Sequence, residues 1–143
     1  MARIVDLRTF SEERGHLTVI EQPDIGFEIK RVFYIYGVDD SVRGKHAHKK
    51  SIQALMSVKG SCIVAVNDGN SKGEFLLDKP SKCLILEPQD WHYMYNFTPD
   101  CVLEVLASEP FNPEDYVYDE PNERIEKPCF SIPSEEVTRP EAL

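Results

Sequence analysis

The feature that most restricts how this chain can fold is the even spacing of its short β-rich runs. Residues 27–38, 52–58, 62–66, 74–77, 83–86, 91–98 and 101–107 are dense in β-branched, aromatic and other apolar side chains. Turn formers fall between them: Lys59-Gly60-Ser61, Asp68-Gly69, Pro80, Pro88 and Pro99. Strands recurring every 8–12 residues or so mark a sandwich or barrel, and prolines placed between strands cost no ladder hydrogen bond. Residues 3–7 and 16–20 add two more candidate strands around the turn-like Glu12-Glu13-Arg14-Gly15. Only one helical start stands out. Asn112 can cap, Pro113 fits the first helical position, and Glu114 and Asp115 complement the amino-terminal dipole. The expectation is an all-β antiparallel barrel or jelly roll with a short C-terminal helical turn. It is expected to form one domain over residues 1–143, with its core in 3–108 and an acidic, extended tail in 109–143.

Charge and composition narrow the function. A net charge of −9 disfavours nucleic acid, whose phosphates it would repel. Ten of the acids lie in residues 109–143 against three cations, so the remainder is close to neutral and has room for a basic patch. No apolar run approaches the roughly 18 residues of a membrane span, and Met1-Ala2-Arg3-Ile4 does not begin a signal-peptide pattern. A cytoplasmic protein is expected. Cys62, Cys83, Cys101 and Cys129 form no CxxC pair, and three of them sit in apolar runs. They read as packed thiols rather than a zinc or redox site.

The chemistry concentrates in Arg43-Gly44-Lys45-His46-Ala47-His48-Lys49-Lys50, which holds two of the four histidines. On a strand, residues two apart share a face, so both imidazoles would enter one cavity. Such a pair suits metal binding or proton transfer near neutral pH. The cupin superfamily, small jelly-roll barrels, carries a His-x-His pair followed by a Glu, with a further His in a second motif. Here Gln53 follows the pair. Pro88 and Asn96 match the second motif, but Asp90 replaces its glycine and Tyr93 takes the histidine's register, with His92 one position early. A carboxamide is a weaker ligand than a carboxylate. In a regular strand the one-residue shift would also turn His92 to the other face, unless a bulge restored it. No metal is expected.

A more specific resemblance covers residues 14–119. Arg14-Gly15-x-Leu17, Lys30-Arg31-Val32-Phe33-Tyr34-Ile35-Tyr36-Gly37-Val38, Arg43-Gly44-x-His46-Ala47-His48-Lys49, Gln53, Pro88-x-x-Trp91 and Asp115-Tyr116 resemble the sugar-nucleotide 3,4-ketoisomerases of the cupin superfamily. The resemblance implies a dTDP-linked 4-oxo-6-deoxyhexose substrate, a homodimer and deoxysugar biosynthesis for a surface glycan.

The residues suit that chemistry. Moving a ketone from C4 to C3 requires removal of the C3 proton, an enediol or enediolate, and reprotonation at C4. It consumes no redox cofactor, and the chain has no GxGxxG fingerprint. It needs a base active near neutral pH and donors aimed at the oxygen that gathers charge. His48 is the expected carbon acid–base, with His46 as proton shuttle or oxygen-side partner. Arg31, Arg43, Lys45 and Lys49 are candidate diphosphate contacts. Arg31 is the sharpest, because it interrupts the apolar face of Ile29, Phe33 and Ile35, where an internal salt bridge is the alternative to a ligand. Gln53 would hydrogen-bond a hydroxyl or a histidine. Tyr34, Tyr36, Trp91, His92 and Tyr93 complete the expected binding set. A 3,5-epimerase and a non-catalytic sugar-nucleotide binder are the competing functions.

Overall fold

A computed structural model describes residues 1–122. Twelve strands appear in this span: β1 (Arg3–Asp6), β2 (Thr9–Glu12), β3 (Gly15–Thr18), β4 (Arg31–Ile35), β5 (Arg43–His48), β6 (Gln53–Lys59), β7 (Cys62–Asn67), β8 (Lys72–Leu77), β9 (Lys82–Leu86), β10 (Trp91–Tyr95), β11 (Val102–Ala107) and β12 (Tyr116–Val117). One five-stranded sheet runs β1-β9-β6-β11-β4, and a second runs β12-β5-β10-β7-β8. All their ladders are antiparallel. The jelly-roll expectation holds.

The sheets pack face to face through Ile35, Leu55, Leu84, Leu103 and Val105 from the first and Cys62, Val64, Val66, Leu77 and Met94 from the second. The first sheet is buried on its other face too, where Ala54, Met56, Ile85 and Leu106 meet Leu7, Ile25 and Phe27. This explains why β6 is buried without a break from Gln53 to Ser57 rather than on alternate residues. Cys62, Cys83 and Cys101 are buried and free, and burial pushes the first two thiols up to about 12, so they pack without reacting. Cys129 and most of the expected tail lie outside the described residues.

Two expectations need correction. The run at 27–38 shortens to β4, because the chain before it forms a helical turn, α1 (Gln22–Ile25). Its signal was local: Pro23 lies in the first turn, the Asp24 carboxylate accepts from Glu21 N at 2.7 Å, and Gly26 closes it at φ 84°. The expected turn at 12–15 is narrower, flanked by β2 and β3, which form a separate two-stranded ribbon. The short helical turn expected after Asn112 is present as a 3-10 turn, Pro113–Asp115. Asn112 does cap it, accepting from Glu114 N at 3.0 Å. The turn feeds β12 back against β5, which pairs Tyr116 with His48.

Candidate active site

Two rows of facing residues make the cavity at one end of the sandwich. On the first sheet, Arg31, Ala107 and Gln53 are cross-strand neighbours on the inner face. On the second, His46 lies opposite His92, and His48 opposite Tyr116. His46 and His48 are 1% and 3% exposed. Their ring centroids are 5.1 Å apart and edge to face, and His46 is 4.9 Å from His92. Alternation along β5 therefore does what the sequence implied.

A bulge is present, but on β5 rather than on the His92 strand, which keeps an unbroken register with β7. The register between β10 and β5 slips so that Tyr93 pairs with Gly44 and Met94 with Arg43, leaving Lys45 unpaired. Lys45 takes φ 60° and Gly44 φ 94°, a conformation that glycine tolerates best. A Cβ on Gly44 would lie 3.1 Å from the His92 carbonyl oxygen and 3.2 Å from Tyr93 Cα, so that position also needs a residue without a side chain. The extra residue inverts the alternation before it. Arg43 is brought into line with the core residue Met94, whereas Lys45 and Lys49 are exposed.

Protonation is set by specific partners. His48 Nδ1 lies 3.0 Å from Asp115 Oδ2, so the ring donates there and its Nε2 carries the lone pair. Ser51 Oγ donates to the same oxygen at 2.6 Å, and Lys50 N donates to Oδ1 at 2.7 Å. Burial pushes the Asp115 carboxyl up, but these bonds and the neighbouring imidazole outweigh it and hold it below its ordinary value. Burial lowers His48 more than the Asp115 carboxylate raises it. Burial, then the nearby His48, bring His46 down to about 4. His92 is lowered chiefly by burial, and its Nδ1 donates to the Asp90 carbonyl at 3.0 Å. All three imidazoles are neutral at pH 7.

Among the described residues, six buried side-chain atoms make no hydrogen bond of good geometry: Arg31 Nε, Arg43 Nε, His46 Nδ1, His48 Nε2, Gln53 Nε2 and Tyr116 Oη. Native proteins leave few such atoms, and here every one belongs to the two facing rows or to Arg43 beside them. Among the described residues Arg31 does not form the internal salt bridge considered above. Its guanidinium lies over the rings of Phe33 and Phe111, at 5.1 and 5.7 Å. Such a cluster is what a polar ligand would complete. Among the described residues no group of three or more His, Cys, Asp or Glu side chains is arranged to hold a metal ion.

Not every expected residue joins this cavity. Tyr34 on the outer face of β4, set there by its alternation with Arg31 and Phe33, and Tyr36 just past the strand's end are 60% and 68% exposed. Trp91 and Tyr93 alternate with the inward His92 and line a separate depression of about 300 Å³ with Asn67, Lys72 and Glu74. Trp91 Nε1 donates to the Tyr118 carbonyl at 3.0 Å, which ties β10 to the segment carrying β12. Sequence reasoning placed none of Asp115, Tyr116 and Ser51 in the site. Asp115-Tyr116 belonged to the family pattern, but nothing local ties residue 115 to residue 48.

A jelly roll whose cavity sets buried imidazoles, one of them hydrogen-bonded to a carboxylate, across from Arg31 and Gln53 defines the class: a cupin-type fold with a polar, ligand-sized hollow at one end. Residues 1–124 match the family model FdtA, described as WxcM-like, C-terminal. The chain is 41% identical over 117 residues to the TDP-4-oxo-6-deoxy-alpha-D-glucose-3,4-oxoisomerase of Aneurinibacillus thermoaerophilus, covering 80% of this chain and 84% of that one. The 3,4-ketoisomerase QdtA of Thermoanaerobacterium thermosaccharolyticum, solved as a variant with TDP-4-keto-6-deoxyglucose, aligns with TM-score 0.80 at 38% identity over 82% of this chain and 87% of its own. A 3,4-ketoisomerase from Helicobacter canadensis aligns with TM-score 0.79 at 37% identity, over 82% and 90% of the two chains. The chain belongs to the FdtA, WxcM-like family, and it is an isomerase, a 3,4-ketoisomerase.

Proposed function

We propose that the chain converts dTDP-4-oxo-6-deoxy-D-glucose to the 3-oxo isomer, with His48 as the carbon acid–base. The observation that carries this is the orphaned His48 Nε2, buried and held in its accepting tautomer by Asp115. His48 takes the C3 proton and returns it at C4, so one base serves both carbons and no cofactor is consumed. His46 packs against it as the second imidazole at the sugar. Arg31 and Arg43 offer forked donors to the diphosphate, Gln53 offers an amide to a hydroxyl, and His92 closes the cavity beside His46. Lys45, Trp91 and Tyr93 act from outside the cavity, on the bulge and behind the histidine strand.

A homodimer fits the exposed surfaces. The β2–β3 ribbon exposes the cross-strand pair Phe10 and Leu17, and edge strand β4 exposes Val32 and Tyr34. A two-stranded ribbon is marginal alone, and edges need cover. A second copy supplies both, and a monodisperse monomer at micromolar concentration in sedimentation would contradict this. Nucleotide sugars are made in the cytoplasm, which is the location proposed here, with neither nucleic acid nor membrane as partner.

The deciding experiment is incubation with dTDP-4-oxo-6-deoxyglucose in deuterium oxide, followed by product NMR. A ketone moved to C3 is expected. A ketone left at C4 with label at C3 and C5 would identify a 3,5-epimerase, and unchanged sugar a binding protein.

A further inference from the structure

His48 accounts for the carbon proton but not for the oxygens. As the ketone moves, O4 must gain a hydrogen and O3 must lose one, and His48 Nε2 is occupied by the carbon proton throughout. The sequence reading gave the oxygen step to His46. In the structure that ring stands in a cluster of cations and cation-forming groups, His48, His92 and Arg31. A proton given up by neutral imidazole leaves imidazolate, and one gained makes imidazolium, which burial and these neighbours oppose.

Tyr116 has the better position. Its ring centroid lies 4.8 Å from that of His46 and 4.7 Å from that of His48. The hydroxyl is buried beside the Arg31 guanidinium but makes no hydrogen bond of good geometry, which costs free energy that a bound hydroxyl or oxyanion would recover. Burial raises the phenol, while the charge of Arg31 acts the other way and favours a phenolate. Donating first and accepting second is the order this phenol and guanidinium allow.

Resting on the ketoisomerase reading, we propose that Tyr116 is a further catalytic residue whose phenol gives its hydrogen to O4 of the enediolate and recovers one from O3. The electrons balance without an added reactant. The C3–H pair forms the C3–C4 double bond as His48 takes the proton, and the carbonyl π pair moves to O4. Tyr116 protonates O4, and its phenolate removes the O3 hydrogen. The O3–H pair becomes the new carbonyl as the double bond takes the proton back from His48 at C4.

The test is Tyr116→Phe with dTDP-4-oxo-6-deoxyglucose in deuterium oxide, reading isomerisation and deuterium at C3 of the recovered substrate. Isomerisation is expected to fall about 100-fold with KM within about threefold, while C3 exchange continues. His48→Asn should lose both. Exchange that survives His48→Asn would defeat the base assignment, and Tyr116 is judged separately by its own exchange-to-turnover ratio. Turnover within about threefold of the unaltered enzyme, or equal loss of exchange and turnover with dTDP binding intact, would overturn the role of Tyr116. If Tyr116→Phe does not fold, a fluorinated tyrosine at position 116 acidifies the phenol without removing it. The alkaline limb of the kcat–pH profile should then move to lower pH, and an unmoved limb would overturn the proposal.

Discussion

Two levels of the same three strands behave in opposite ways. Near one end, Ile35, Leu103 and Ser57 are neighbours across β4, β11 and β6; four residues along the same ladders, Arg31, Ala107 and Gln53 hold the equivalent places. At the first level Leu103 is fully buried among aliphatic side chains, and Ser57 Oγ rests 3.8 and 3.9 Å from two cysteine sulfurs. At the second, buried polar atoms face one another without partners. The ladder and the alternation are shared, so backbone geometry does not make the site. What makes it is polar side chains at inward positions of one end, kept apart by a sandwich that the other end holds closed.

The sharpest way to break this contrast is at the polar end. His48→Asn is expected to lower turnover by about 10²–10⁴-fold with little change in melting temperature. Near-normal turnover in a folded variant would dissolve the distinction. Leu103→Ala should do the reverse, costing about 2–5 kcal/mol in urea unfolding while KM stays within a factor of about two below the unfolding transition.

Acid should separate the levels next. The His46 pKa falls to about 4 from the ordinary 6.5. A group depressed on folding adds its stability above the unfolded value and loses it as pH falls through the folded one. Denaturant unfolding at pH 7 and pH 4.5 should therefore differ, with His46 contributing on the order of 3 kcal/mol by linkage. His48 and His92 shift in the same sense. His46→Asn should flatten the dependence, and an unchanged slope would show the imidazole to be hydrated. The smallest effect is expected from Asp115→Asn, about tenfold in kcat. Because the Asp115 carboxylate raises the His48 pKa, its loss should move the acid limb of kcat/KM to lower pH.

The sequence was readable where the signal is local. Gly and Pro punctuation marked the strands, and i, i+2 spacing put His46 and His48 together. The opposed faces of Arg31 and Tyr34 also followed from alternation. It was unreadable where one residue changes the count. The Lys45 bulge that aligns Arg43 with Met94 depends on how β10 approaches Gly44, which no window around residue 45 contains. Trp91 and Tyr93 were grouped with the site as aromatic side chains suited to a ligand, yet alternation carries them to the outer face.

The sequence by itself determined the strand pattern, the family and the histidine pair, because period-2 alternation and turn chemistry act over a few residues. Only the tertiary structure decided that Asp115, 67 residues away, orients His48 and that Tyr116 stands against both rings. The reason is physical: a hydrogen bond across a sheet depends on register and strand order, which a chain acquires only when its whole core packs.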